Sequence, residues 1–207
     1  MSRVWPPICG SPAKSRRRSK QRNLFSRSFR LILVRVYLFC RELIPPRNFP
    51  LPVLGVMMGP IFEAMVRFFK EDDWNFTQLQ NEPILSMGVS GKNGKWRCYA
   101  KSREEQKQFV FYSICETNAP ENKRPAIAEF LTRANFGLVI GNFELDYNDG
   151  EIRYKTSVDV EGDRLNSPLI RNLVYANVVM MDRYLPGIMA VIYGNVSPVD
   201  AIRMVEG

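Results

Sequence analysis

From Ile61 onward the apolar side chains Phe62, Met65, Val66 and Phe69 recur at helical spacing, while Glu63, Arg67 and Glu71 line the other face. Pro60 suits a first helical position after Gly59, so the pattern predicts a helix from Pro60 that closes over residues 72–75. Strand-like runs follow: a weak one at 76–80, then stronger ones at 84–90, 96–102 and 109–115. Gly91-Lys92-Asn93-Gly94 joins the second and third runs, and Asn-Gly is the favoured pair for a tight hairpin turn whose central residues take positive φ.

Ile127, Phe130, Leu131 and Ala134 form the next helical stripe. It starts at Pro120 or at Pro125, and Gly137 is placed to stop it. Residues 138–147 and 151–160 then read as a hairpin with Asp149-Gly150 as its turn. Counting outward pairs Tyr147 with Ile152, Leu145 with Tyr154 and Phe143 with Thr156 on the inner face. On the outer face it sets Asp146 against Arg153 and Glu144 against Lys155. Ser167-Pro168 resembles a cap and first turn for a third helix running to about Leu185, which Pro186-Gly187 kinks or restarts. The apolar residues 188–193 extend it, Gly194 ends it, and Ser197-Pro198-Val199-Asp200 starts a short final helix.

The order is helix, three or four strands, helix, two strands, helix. Strands and helices do not alternate singly, which predicts an α+β fold with an antiparallel-rich sheet and packed helices.

Charge changes the picture at the N-terminus. Residues 1–56 hold 12 Lys/Arg against one acid, Glu42, for a net +11; residues 57–207 hold 17 against 20, for −3. The chain thus divides into a basic, Pro/Arg-rich extension over 1–56, expected to be disordered or not native, and a mildly acidic domain over 57–207. The apolar stretch 31–40 carries Arg35 and is too short to span a membrane. Three readings of the extension stand: a transit peptide, a basic arm for membrane or nucleic acid, or sequence upstream of a true start at Met57 or Met58. The abrupt change at Met57 favours the last. A domain at −3 argues against general nucleic-acid binding.

Chemistry is excluded more readily than assigned. With no histidine there is no Ser-His-Asp or Cys-His catalysis and no His-ligated zinc. Cys9, Cys40, Cys98 and Cys115 form no CxxC; the last two read as small buried hydrophobes. Unpatterned cysteine fits a reducing compartment, hence a cytoplasmic protein unless residues 1–56 are a transit peptide. Residues 91–95 lack the spacing of a phosphate loop. Asp159, Glu161 and Asp163 lack the glycine and glutamate of a calcium loop and read as a solvated strand end. Tyr154, Lys155 and Ser157 do not converge, because neighbouring strand residues face opposite ways. No catalytic, cofactor or metal residue is expected.

On the third helix, Ile170, Leu173, Val174, Met181 and Tyr184 share one face with Asn177 in its middle, which reads as a satisfied buried amide. Tyr175 and Val179 fall on the opposite side among Arg171, Asn172, Asp182 and Arg183, and are the expected partner-binding residues.

Residues 133–165, RANFGLVIGNFELDYNDGEIRYKTSVDVEGDRL, resemble the YbjN-domain family, particularly its cyanobacterial members. So do residues 62–74 and the run MDRYLPGIMAVIYG at 181–194. The resemblance spans roughly residues 60–205 and has no counterpart for 1–56. It implies a fold like the type III secretion chaperones, in the order α-βββ-α-ββ-α, and a role as a sensory regulator or chaperone relative. It supplies no catalytic residues. The expected function is therefore a non-catalytic, chaperone-like or regulatory module that binds a protein partner or forms a homodimer. The alternative is a small-ligand sensor with its pocket between sheet and helices.

Overall fold

The structure is a computed structural model that describes residues 58–207. The expectations for residues 1–56, and for Met57 as the boundary, lie outside the described residues. Helix α1 is Pro60–Glu71, followed by β1 (Thr77–Gln78), β2 (Ile84–Ser90), β3 (Lys95–Arg103) and β4 (Gln108–Ile114). A 3₁₀ turn at Glu121–Lys123 leads into α2 (Arg124–Asn135); then come β5 (Asn142–Leu145), β6 (Ile152–Asp159), α3 (Ser167–Tyr193) and α4 (Pro198–Glu206). The six strands form one sheet in the order β1-β2-β3-β4-β6-β5, antiparallel at every step. The α+β class and the element order agree with the sequence pattern.

The helices pack on one face of the sheet. That face carries Leu85, Met87, Val89, Trp96, Cys98, Ala100, Phe109, Phe111, Phe143, Ile152 and Tyr154, all buried. The opposite face is half-buried to exposed apart from Val110. Pro120 and Pro125 both serve: the first precedes the 3₁₀ turn and the second lies in the first turn of α2. The cap of α3 is Asn166, one residue earlier than expected, whose Oδ1 accepts from Leu169 N–H at 3.0 Å. The N-terminus of α1, which Gly59 cannot cap, is capped from a distance: Glu104 accepts from Phe62 N–H at 2.8 Å and Ile61 N–H at 3.3 Å.

The second hairpin has a different register. Leu145 faces Ile152, Phe143 faces Tyr154, Glu144 faces Arg153 and Asn142 faces Lys155, a shift of two residues. Asp146 N–H donates to Glu151 O and Gly150 N–H to Asp146 O, so the loop holds four residues, 147–150, rather than two. Of these only Gly150 is left-handed, at φ 82°, whereas the predicted turn needs two such residues. Asp146 and Asp149 carboxylates cap the loop by accepting from Asn148 N–H and Glu151 N–H. A slip of two leaves the strand residues that still pair on their expected faces, so Glu144 still meets Lys155 and also Arg153, whereas Tyr147, expected inside opposite Ile152, falls in the loop and is exposed. The strand is also shorter than the pattern suggested, because residues 138–141 form a loop.

The first hairpin turns on Lys92-Asn93, with Ser90 opposite Lys95 and Gly91 N–H donating to Gly94 O. Neither central residue has positive φ. The turn is docked on α3, which runs unbroken through Pro186. Proline there denies the Asp182 carbonyl its helical donor. Asn93 Nδ2 takes that carbonyl at 2.9 Å, while the Asp182 carboxylate accepts from Asn93 N–H at 2.8 Å and Lys92 N–H at 3.2 Å. The proline that reads as a break is thus repaired by the hairpin docked beside it. Gly187 next to it leaves room for Phe130, whose ring would lie 2.5 Å from an added Cβ.

Candidate protein-interaction site

At the C-terminus of α2 the chain leaves the core through residues 136–141. Leu138 packs back against the core and the Tyr154 hydroxyl donates to the Ile140 carbonyl, so the segment is fastened at two points. Between and before them, Phe136 is 92% and Val139 95% exposed, with Ile140 also exposed. Large apolar side chains held out together at this level are the usual mark of a contact surface. The loop borders β5, which among the described residues pairs only with β6 and so forms a sheet edge.

That edge is already blunted at Phe143. Asn135 Oδ1 accepts from Phe143 N–H at 2.7 Å and Asn135 Nδ2 donates to Phe143 O at 3.1 Å, as a neighbouring strand would. Addition of a partner strand is disfavoured there, which leaves the apolar loop as the contact element. Beneath it, the rings of Phe143, Tyr154, Tyr184 and Phe130 pack edge to face. Burial pushes the Tyr184 phenol up to about 12, with the hydrogen bond to Glu206 adding to the effect. Burial likewise raises the Tyr154 phenol. Both stay protonated donors at neutral pH. Burial also raises the Glu144 carboxyl, but hydrogen bonds from Lys155 and Arg153 outweigh it and hold the group below its ordinary value. No sequence signal marked Asn135, since its role depends on a strand eight residues away.

The residues singled out from sequence are dispersed. Asn177 is wholly buried, and its Nδ2 donates to Phe111 O and Tyr154 O, both at 3.0 Å. Tyr175 and Val179 are only 9% and 7% exposed, so the solvated outer face expected for them is not what the fold presents. The reason is α1. Asp72 at its end accepts from the Tyr175 hydroxyl at 2.8 Å, from Trp74 Nε1 at 3.0 Å and from Arg171 at 3.1 Å, and Trp74 packs edge-on against the Tyr175 ring. A helical wheel assumes one covered face; a 27-residue helix here is covered on several. Cys98 and Cys115 are buried, and burial raises the Cys115 thiol. Asp159 and Asp163 cap their own turn, accepting from Glu161 N–H and Arg164 N–H. Among the described residues no group of His, Cys, Asp and Glu is placed to hold a metal ion, and no helix is long and apolar enough to cross a membrane.

A family model described as "YbjN: Putative bacterial sensory transduction regulator" matches residues 62–189. The chain belongs to the YbjN family. The match covers α1 to most of α3, including the loop at 136–141. No curated protein matches the chain. Among solved structures, the chain is similar to "Crystal structure of YbjN, a putative transcription regulator from E. coli", with TM-score 0.46 and 13% identity over 65% of this chain and 90% of that one. It is also similar to "Structure of the HopA1-SchA Chaperone-Effector Complex", with TM-score 0.42 and 14% identity over 61% of this chain and 95% of that one.

Proposed function

We propose that this YbjN-family domain is a non-catalytic module, chaperone-like or regulatory, that binds a protein partner through residues 136–140. One observation carries the reading: Phe136 and Val139 stand more than nine-tenths exposed on a loop fastened by Leu138 and by the Ile140 carbonyl. A fixed loop loses little entropy on binding, so its apolar area is available as affinity. The family's description as a regulator supports binding over turnover. The test compares the full chain with Phe136→Ser/Val139→Ser in affinity capture from the native cell, with sedimentation alongside to detect self-association. The variant should lose a specific protein, or the dimer, while its melting temperature holds, because neither side chain contributes burial to the fold. Retention of every captured protein at wild-type level would refute the assignment.

A second reading, a small-ligand sensor, is favoured by Asn177 Oδ1, which is buried between α3 and the sheet with no hydrogen-bond partner among the described residues. A bound donor there would relieve the cost of an unsatisfied amide. Native mass spectrometry of the full chain should then show a co-purifying small molecule that Asn177→Leu loses.

A further inference from the structure

The open face of the sheet concentrates positive charge. On its three adjoining strands β2, β3 and β4, the outward residues are Ile84, Ser86, Gly88 and Ser90; Lys95, Arg97, Tyr99, Lys101 and Arg103; and Gln108, Val110, Tyr112 and Ile114. Four cations and no acid stand on this patch, so the remainder of residues 57–207 carries −7 against the −3 of the whole. The average that argued against polyanion binding hides a segregated surface. Lys95, Arg97 and Lys101 have no ion pair among the described residues, whereas Arg153 and Lys155 on β6 are held by Glu144. The outward positions of this strand repeat every two residues, about 6.6 Å; Lys95 and Arg97 stand one repeat apart, and Tyr99 occupies the position between Arg97 and Lys101. Tyr99 lies directly opposite Tyr112 on β4 and opposite Ser86 on β2. Gly88, diagonal to it, leaves open space where a Cβ would stand. The flank of Tyr99 on the β2 side is therefore floored by small residues.

We infer that this face binds a single-stranded polynucleotide, with Lys95 and Arg97 on successive phosphates, a base stacked on Tyr99 and Lys101 on a phosphate beyond it. A line of unpaired cations at strand spacing suits a backbone with one charge per nucleotide, and the half-buried aromatic set within that line suits a base. An acidic peptide would meet the charges and leave the tyrosine unused. Two copies meeting symmetrically through this face would bring like charge together, and the +11 extension of this chain repels it likewise. The site is separate from residues 136–140, so it stands or falls independently of the proposed protein contact.

The test is fluorescence anisotropy of the full chain with labelled single-stranded RNA and DNA 12-mers, a duplex of equal length, and polyglutamate as competitor. The basic extension contributes background to every sample, so the control is Arg67→Glu/Lys70→Glu on the exposed face of α1, which alters charge equally. Tyr99→Ala should weaken binding by about tenfold. Arg97→Glu/Lys101→Glu should weaken it more than the control does and lower the slope of log K against log salt by about 1.4. Preference for RNA or for DNA identifies the source; either supports the inference. Equal losses in the control, duplex bound as tightly as single strands, or displacement by polyglutamate at equal charge would each overturn it. Should Tyr99→Ala fail to fold, the charge variant on the solvated face decides the matter.

Discussion

Replacing Gly150 by alanine tests how the second hairpin is held. Its φ of 82° lies in the left-handed region, where a side chain costs about 1–2 kcal/mol. A Cβ there would also lie 2.1 Å from the carbonyl oxygen of Ala119 and 3.0 Å from its nitrogen. That backbone cannot easily yield, since Ala119 N–H donates to Gly150 O at 2.8 Å and Asn118 Nδ2 to Asp149 O at 3.2 Å. Overpacking of this kind adds about 1–3 kcal/mol. Gly162 is a matched control, with φ 81° and nothing within 4 Å of its added Cβ. Gly162→Ala should lower stability by about 1–2 kcal/mol. Gly150→Ala should exceed it by about 1–3 kcal/mol, read from urea melts of the full chain by linear extrapolation. Equal losses for the two variants would show that the loop is not seated on Ala119 and that the register argument, which depends on this loop, is mistaken.

Three further outcomes follow from the same geometry. Tyr175→Phe removes a hydrogen bond to the Asp72 carboxylate and should reduce stability by about 1.5–3 kcal/mol; Tyr175→Asp, which faces one carboxylate with another, should lower the melting temperature further, and an unchanged midpoint would contradict the packing of α1 on α3. Asn93→Ala should destabilise by about 0.5–1.5 kcal/mol, and by less in a Pro186→Ala background, where the Asp182 carbonyl regains its helical donor; additive losses in that double-mutant cycle would refute the repair. Glu144→Gln should reduce stability near neutral pH by about 0.5–1 kcal/mol. Because the folded carboxyl titrates below its ordinary 4.5, the wild-type advantage is present above that value and disappears as pH falls through the lower folded value, which pH-dependent urea melts would show.

Much of the fold was legible because it depends on local pattern. The stripe at Ile127, Phe130, Leu131 and Ala134 and the alternation through Phe143 and Tyr154 each declare a buried face without reference to the rest of the chain. What escaped depends on groups far apart in sequence. Glu104 caps a helix more than forty residues earlier, and Asn93 repairs a carbonyl 89 residues later. The hairpin register was misread because Asp146 and Asp149 lengthen the loop by capping it, although a slip of two keeps the faces of the paired residues correct and misplaces Tyr147, which the longer loop exposes. The site suffered more. Tyr175 and Val179 looked exposed on a wheel that could not include the elements packed around this helix, α1 against Tyr175 among them. Val139 was hidden inside what read as a strand, where an apolar run predicts burial rather than display, and Phe136 fell just before Gly137 at the expected end of a helix.

The most direct test of the partner-binding account is photo-crosslinking in the native cell, with a photoreactive amino acid placed at position 139 and, in a second strain, at position 70. Both positions are exposed, but only the first lies on the apolar loop. A discrete covalent adduct with a protein at 139, absent at 70 and lost on adding Phe136→Ser, is the predicted result. No adduct at 139, or the same adducts from both positions, would contradict the claim that this loop is where the domain meets its partner.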